Sequence, residues 1–241
     1  LESNGHQVIL NDHELPYYSF EELAVWAPEI DGAIIGMDQW NEQVFHIAPK
    51  LKILARFGVG VDNIDLEAAK RHGIQVVNAA GMNANAVAEL AVAMILNCLR
   101  GIPELNRKLT DGQWSRAVGR DLLGKTVGLL GFGDIGGRVA KKLSGFEVRL
   151  LAYDPYPNRE KAAALGVTLT DLDTVLTQSD ILSIHMPSIP ATRHVMNRET
   201  FAKMKPDSYF INTARGALVD TQALVDAVAG GHLAGAAVDV Y

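Results

Sequence analysis

Gly131, Gly133 and Gly136 stand in the spacing G-x-G-x-x-G, and Asp154 follows 18 residues after the last of them. Glycines so spaced allow a tight turn, a close approach of backbone to an anion, and close packing of helix on strand. The chemistry this permits is the holding of a dinucleotide pyrophosphate by N–H groups at the positive end of a helix. The carboxylate of Asp154 falls where it can accept from ribose hydroxyls, and it would repel a 2′-phosphate, so NAD is expected over NADP. Arg215, within Asn212-Thr213-Ala214-Arg215-Gly216, is the second candidate. Its planar, permanently charged fork can hold a carboxylate bidentately, which a lysine cannot reproduce. A loop arginine alone is more often a surface ion pair, so its position in the fold decides its meaning.

The elements around these residues supply that position. An apolar run from Val127 to Leu130 enters the glycine turn, a helical pattern follows at Ile135, Val139 and Leu143, and Glu147 to Tyr153 reads as the next strand. Further strands are expected at Ile181 to His185, Ser208 to Asn212 and Ala236 to Val240, between helices capped by Asp171, Asn197 and Asp220. That makes five strands joined by crossovers, a doubly wound sheet. Before it, strands at Gln7 to Leu10, Gly32 to Gly36, Leu51 to Phe57 and Val76 to Asn78 alternate with helices at Ser19 to Trp26, at Gln39 to His46, and from the Asp65 cap to the Gly73 stop. Such alternation implies parallel sheets covered on both faces. A long helix with the apolar stripe Val87, Leu90, Ala91, Met94, Ile95 and Leu99 begins at Ala84, with Asn83 or Asn85 able to cap it. The fold class is therefore α/β with two doubly wound parallel-sheet domains, residues 1–80 and 81–241. Ligands of such sheets sit beyond the carboxyl ends of the strands. Those ends carry Gly58 to Asn63, Gly81 to Asn83, the glycine turn, Asp154-Pro155, His185-Met186-Pro187, Asn212 to Gly216, and Asp239.

Composition narrows the function classes. Of 241 residues 48% are hydrophobic, and the net charge is −6 with a pI near 5.6. No basic footprint for nucleic acid or acidic lipid is present, and the longest apolar helix is too short to span a bilayer. Cys98 is the single cysteine, so no internal disulfide can form, and a cytoplasmic setting with Cys98 as a small core hydrophobe is expected. No metal is expected. The chain opens without Met and stops at or near an apolar strand, so a longer protein is expected around it.

Five motifs in order now resemble a known family, the NAD-dependent D-isomer-specific 2-hydroxyacid dehydrogenases, of which phosphoglycerate dehydrogenase is a member. They are Gly58-Val59-Gly60-Val61-Asp62-Asn63-Ile64-Asp65, Val87-Ala88-Glu89, Gly131-Phe132-Gly133-Asp134-Ile135-Gly136, Tyr153-Asp154-Pro155 and Asn212-Thr213-Ala214-Arg215-Gly216. The resemblance implies a flavodoxin-like substrate domain, a Rossmann NAD-binding domain, and hydride transfer between NAD(H) and a D-2-hydroxy or 2-keto acid. 3-Phosphoglycerate, hydroxypyruvate and glyoxylate are the candidate substrates. It implies that Arg215 binds the substrate carboxylate and polarises the neighbouring carbonyl, and that Val59 and Gly60 present N–H groups to the same carboxylate. Arg56 could add charge for a phosphorylated substrate or could equally be structural, and Asn83 lies on the substrate side. For NAD, Asp134 and Ile135 fall at the pyrophosphate, with Asp134 acting through its backbone. Asp154 falls at the ribose, Met186 and Pro187 at the adenine side, Thr213, Ala214 and Arg215 near the nicotinamide, and Asp239 at the carboxamide. The proton-transferring His and its Glu partner fall beyond Tyr241. None of His6, His13, His46, His72, His185, His194 and His232 stands in that place. A homodimer is implied, with the helix from Ala84 and the Ile102 to Trp114 arm as its contact, and closure about hinges near Gly81 and Gly119 to Lys125. Two rivals share these motifs: an NAD(H)-sensing co-repressor on the same fold, and other NAD enzymes such as formate or phosphite dehydrogenase.

Overall fold

The protein is described by a computed structural model over residues 1–10 and 17–241, so that His13 lies outside the described residues. It divides into two compact units, Leu1–Asn83 and Ala84–Tyr241.

In the first unit, helix α1 (Phe20–Trp26), strand β1 (Gly32–Ile35), helix α2 (Glu42–Ile47), strand β2 (Ile53–Arg56), helix α3 (Leu66–Arg71) and strand β3 (Gln75–Asn78) alternate. Side chains set where the helices begin. Ser19 and Glu22 cap α1 reciprocally, Asn41 accepts from the N–H groups of Gln43 and Val44, and Asp65 accepts from Ala68. The Asn41 cap is why α2 starts after Gln39 rather than at it. The strands pair in parallel in the order β1-β2-β3 around a core that includes Trp40, Phe45 and Leu54. The strand expected at Gln7 to Leu10 does not form. Residues 6–10 are irregular, and Ile9 and Leu10 are exposed. An apolar run does not make a strand where, among the described residues, no neighbour completes its hydrogen-bond ladder.

The second unit opens with helices α4 (Ala84–Arg100) and α5 (Ile102–Thr110). Then follow β4 (Thr126–Leu130), α6 (Asp134–Leu143), β5 (Arg149–Tyr153), α7 (Arg159–Ala164), β6 (Val167–Leu169), α8 (Leu172–Gln178), β7 (Ile181–Ile184), α9 (Arg198–Lys203), β8 (Ser208–Asn212), α10 (Thr221–Ala229) and β9 (Leu233–Val238). The sheet is wholly parallel, in the order β6-β5-β4-β7-β8-β9. It has six strands where the sequence pattern gave five. The extra one, β6, is a three-residue edge strand too short to leave a periodicity of its own. The last strand runs earlier than Ala236 to Val240, its pairing with β8 shifted by an irregularity at Ser208/Tyr209. Asp171, Asn197 and Asp220 cap α8, α9 and α10 as their types require. Asn85 instead lies inside α4 and donates to Glu89, 2.8 Å away.

Both faces of the sheet are covered, which is why its central strands read as continuous apolar runs. Val127, Leu129 and Ile211 pack with Ala88, Ala91 and Ile95 of α4 and Val139 and Leu143 of α6. Leu130, Leu182, Ile184 and Phe210 pack on the other side with Val175, Phe201 and Leu224. Among the described residues no single helix is long and apolar enough to cross a membrane. Cys98 is half-buried on α4, and burial pushes its thiol pKa up, which keeps it an unreactive packing group.

Candidate active site

Strand order reverses at β4, whose neighbours are β5 on one side and β7 on the other, and the carboxyl edge at such a switch point is where open parallel sheets take their ligands. The glycine turn occupies it. Gly131 has φ +93°, and a Cβ there would lie 2.8 Å from the carbonyl carbon and oxygen of His185 and 2.9 Å from the Met186 nitrogen. No side chain fits between those two backbones. Gly136 lies against the turn itself, since a Cβ on it would meet the Gly131 oxygen at 2.3 Å. Gly133 is different: nothing lies within 4 Å of where its Cβ would be. It is also the N-cap of α6 with no side chain capping the helix, so first-turn N–H groups, including those of Asp134 and Ile135, have no intrahelical acceptor. An open cradle beside uncapped N–H groups fits a diphosphate.

Asp154, just past β5, is held rigidly. Its Oδ2 accepts from the Phe132 N–H at 2.7 Å and its Oδ1 from the Tyr156 N–H at 2.8 Å. The acid is thus fastened to the glycine turn itself, with lone pairs left on both oxygens for hydroxyl donors. Asp134 pairs with Arg138 one helical turn on, at 3.0 Å. Lys161 of α7, which no sequence motif marked, donates from Nζ to the Gly133 carbonyl at 2.7 Å.

On the other side of the glycine turn, β7 leads into His185, Met186 and Pro187. Met186 is buried and Pro187 exposed. His185 Nε2 lies 3.0 Å from Ser183 Oγ, while Nδ1 is sealed from solvent without a partner, and desolvation lowers the ring's pKa to about 4. The imidazole is therefore neutral at physiological pH. Just past the adjacent strand β8, Thr213 Oγ1 is likewise buried without a partner. Two orphaned polar atoms at one sheet edge mark an incomplete polar site. The Asn212 side chain braces the next turn, accepting from the Ala214 N–H and donating to the Arg215 carbonyl, both at 2.9 Å. Arg215 Nη1 donates to the Ala214 carbonyl at 2.7 Å. Asp239, exposed after β9, is tied to the same edge by its N–H to the Asn212 carbonyl at 2.9 Å. Glycine turn, Asp154, Met186, Pro187, Thr213, Ala214, Arg215 and Asp239 thus share the carboxyl edge of one sheet.

In the first unit, Arg56 closes β2 and folds back over its own loop, Nε to the Gly60 carbonyl at 3.0 Å and Nη1 to the Phe57 carbonyl. Asn78 at the end of β3 donates to the Val59 carbonyl at 2.7 Å. The loop is held by its carbonyls, and neither the Val59 nor the Gly60 N–H finds an acceptor among the described residues. Asn83 stands in the exposed turn before α4. The sequence pattern missed Asn78 and Asn212 as braces, because an asparagine at a strand end looks like any turn residue. Among the described residues no three His, Cys, Asp or Glu side chains gather as a metal site.

Residues 92–241 match the family model described as D-isomer specific 2-hydroxyacid dehydrogenase, NAD binding domain. The chain is 39% identical over its full length to a hydroxypyruvate reductase of Thermotoga maritima, of which it covers 80%. It is 41% identical over 92% of its length to D-3-phosphoglycerate dehydrogenase of Mycobacterium tuberculosis, but spans only 42% of that protein. Among solved structures, the D-lactate dehydrogenase of Aquifex aeolicus complexed with NAD and lactic acid superposes with a TM-score of 0.84 at 32% identity, covering 90% of this chain and 66% of that one.

Proposed function

The chain belongs to the D-isomer specific 2-hydroxyacid dehydrogenases, NAD-dependent oxidoreductases of hydroxy and keto acids, and on that premise we propose how its residues divide the work. NAD, when bound, supplies the hydride acceptor or, reduced, the donor. Asp134 and Ile135 hold the pyrophosphate through their N–H groups, aided by the open space at Gly133, and Asp154 takes the adenosine ribose. Met186 and Pro187 flank the adenine side, Thr213, Ala214 and Arg215 run along the nicotinamide side, and Asp239 accepts from the carboxamide. Arg215 binds the substrate carboxylate and polarises the carbonyl beside it, because a guanidinium offers two parallel donors. In the first unit, Val59 and Gly60 offer unengaged N–H groups to an anionic substrate, and Asn83 lies on the substrate side.

Arg56 serves as the brace of that loop, since Nε and Nη1 are given to the Gly60 and Phe57 carbonyls. This favours a small unphosphorylated 2-keto acid, of the hydroxypyruvate or glyoxylate kind, over 3-phosphoglycerate. The working state is a homodimer built on α4 and the arm after it, where Ile102, Leu109 and Trp114 are exposed at 48%, 63% and 74%. The setting is cytoplasmic, in keeping with the single unpaired cysteine. The observation that carries the reading is the open glycine cradle at the sheet's switch point, with a clamped carboxylate on one side and a braced arginine turn on the other.

The test is Arg215→Ala and Arg215→Lys in the whole protein. Both should lower kcat/KM by about a thousandfold, as loss of a principal transition-state donor does, while NADH still binds. Turnover near wild type in either would remove Arg215 from its role.

A further inference from the structure

We infer that Lys161 is the cation that meets the cofactor's diphosphate at this glycine turn, a reading that rests on NAD binding at this sheet edge as proposed above. The first residue of α6 is acidic. Asp134 suits the helix's positive end, but its charge opposes a diphosphate arriving at the same N–H groups. Arg138 is committed to Asp134 at 3.0 Å and offsets only that charge. A further cation comes from another helix. Lys161 reaches from α7 across the first turns of α6, with Nζ 2.7 Å from the Gly133 oxygen and 5.5 Å from the centroid of the Phe132 ring.

Its path is made by the absence of a side chain at Gly137. A Cβ there would stand 2.1 Å from Lys161 Cε and 2.3 Å from Nζ. The second glycine of Gly136-Gly137 therefore gives the lysine its channel. The contact does not exist to rescue an unsatisfied carbonyl, because the Gly133 oxygen already accepts from the Gly137 N–H at 3.1 Å. What the lysine adds is charge. An ammonium carries three donors, and the Gly133 carbonyl takes one, so the others are available to phosphate oxygens seated in the cradle beside it.

Two variants of the whole protein separate charge from scaffolding. Lys161→Met removes the ammonium. Gly137→Ala evicts it by meeting the flexible end of the lysine rather than backbone, in a helix interior where Ala is favoured over Gly. Affinities for NADH, ADP and adenosine are measured by calorimetric titration, with thermal midpoints alongside. Both variants should weaken NADH and ADP about tenfold, as expected for one lost charge-assisted contact, and leave adenosine unchanged. The difference from wild type should shrink as salt is raised, and Gly137→Ala should keep or raise the thermal midpoint. Unchanged ADP affinity in both variants, with wild type binding normally, overturns the role of Lys161 and leaves the NAD reading intact. Equal losses for ADP and adenosine overturn it too, by making the lysine a mere loop tether. Wild-type protein that binds neither NADH nor ADP removes the NAD reading and this inference together.

Discussion

Replacing Asp154 separates two things its carboxylate does. Oδ2 takes the N–H of Phe132 at 2.7 Å and Oδ1 that of Tyr156 at 2.8 Å. Phe132 is 2% exposed and Tyr156 93%, so the two donors fare differently once the acid is gone. In Asp154→Ala the Phe132 N–H is left without water or partner, which costs about 2 kcal/mol, whereas that of Tyr156 regains solvent at little cost. For a unit of this size that corresponds to a fall in thermal midpoint of about 4–8 °C. Asp154→Asn keeps one acceptor oxygen and should lose about half as much. Selectivity follows charge alone. At an effective dielectric of about 20, a carboxylate and a phosphate charge about 4 Å apart repel by about 4 kcal/mol, so neutralising Asp154 should relax discrimination against NADPH by about a hundredfold or more. Both variants should show that relaxation equally, measured as the ratio of NADH to NADPH affinities by fluorescence titration. If the ratio is unchanged in both, Asp154 does not face the adenosine ribose. If Asp154→Ala melts with wild type, the clamp on the glycine turn does not contribute as described.

Gly131→Ala drives a methyl into the His185 backbone at 2.8 Å and forces a side chain to φ +93°, so urea denaturation should show a loss of about 3 kcal/mol or more; a loss below about 1 kcal/mol would mean the two strands can part. His185 supplies a pH dependence. Its pKa in the fold is about 4, below the ordinary 6.5, so the unfolded chain binds the proton more readily and stability is full above pH 6.5 and lost as pH falls toward 4. The loss is at most about 3 kcal/mol, and it should vanish from the pH profile of His185→Gln. Asn212→Ala removes both braces of the Arg215 turn from a site that is 1% exposed. It should cost about 2 kcal/mol in stability and raise KM for the keto acid more than Kd for NADH; an unchanged KM would mean that the turn holds its shape without Asn212.

Most of the second unit was legible in the sequence because its signals are local. The glycine spacing, the acid after the next strand, and Asp or Asn caps at positions 171, 197 and 220 each act within a few residues of themselves. What was not legible depends on partners far along the chain. β6 is three residues of edge strand that only its pairing with β5 defines. Conversely, Gln7 to Leu10 carries a strand's composition without a pairing neighbour among the described residues. Lys161 touches a glycine 28 residues earlier, and nothing about a lysine on a six-residue helix announces that. The orphaned Nδ1 of His185 and Oγ1 of Thr213 appear only when β7 and β8 lie side by side. Arg56 could be read two ways from sequence, and the hydrogen bonds to its own loop favour the structural one.

The central claim is tested most directly by the rate at which the whole protein oxidises NADH against a panel of 2-keto acids: hydroxypyruvate, glyoxylate, pyruvate and phosphohydroxypyruvate, with NADPH run in parallel. Turnover with NADH on one or more of the unphosphorylated acids, hydroxypyruvate or glyoxylate foremost, is the expected result. Tight NADH binding with no turnover on any acid would contradict it and leave a protein that senses the cofactor without using it.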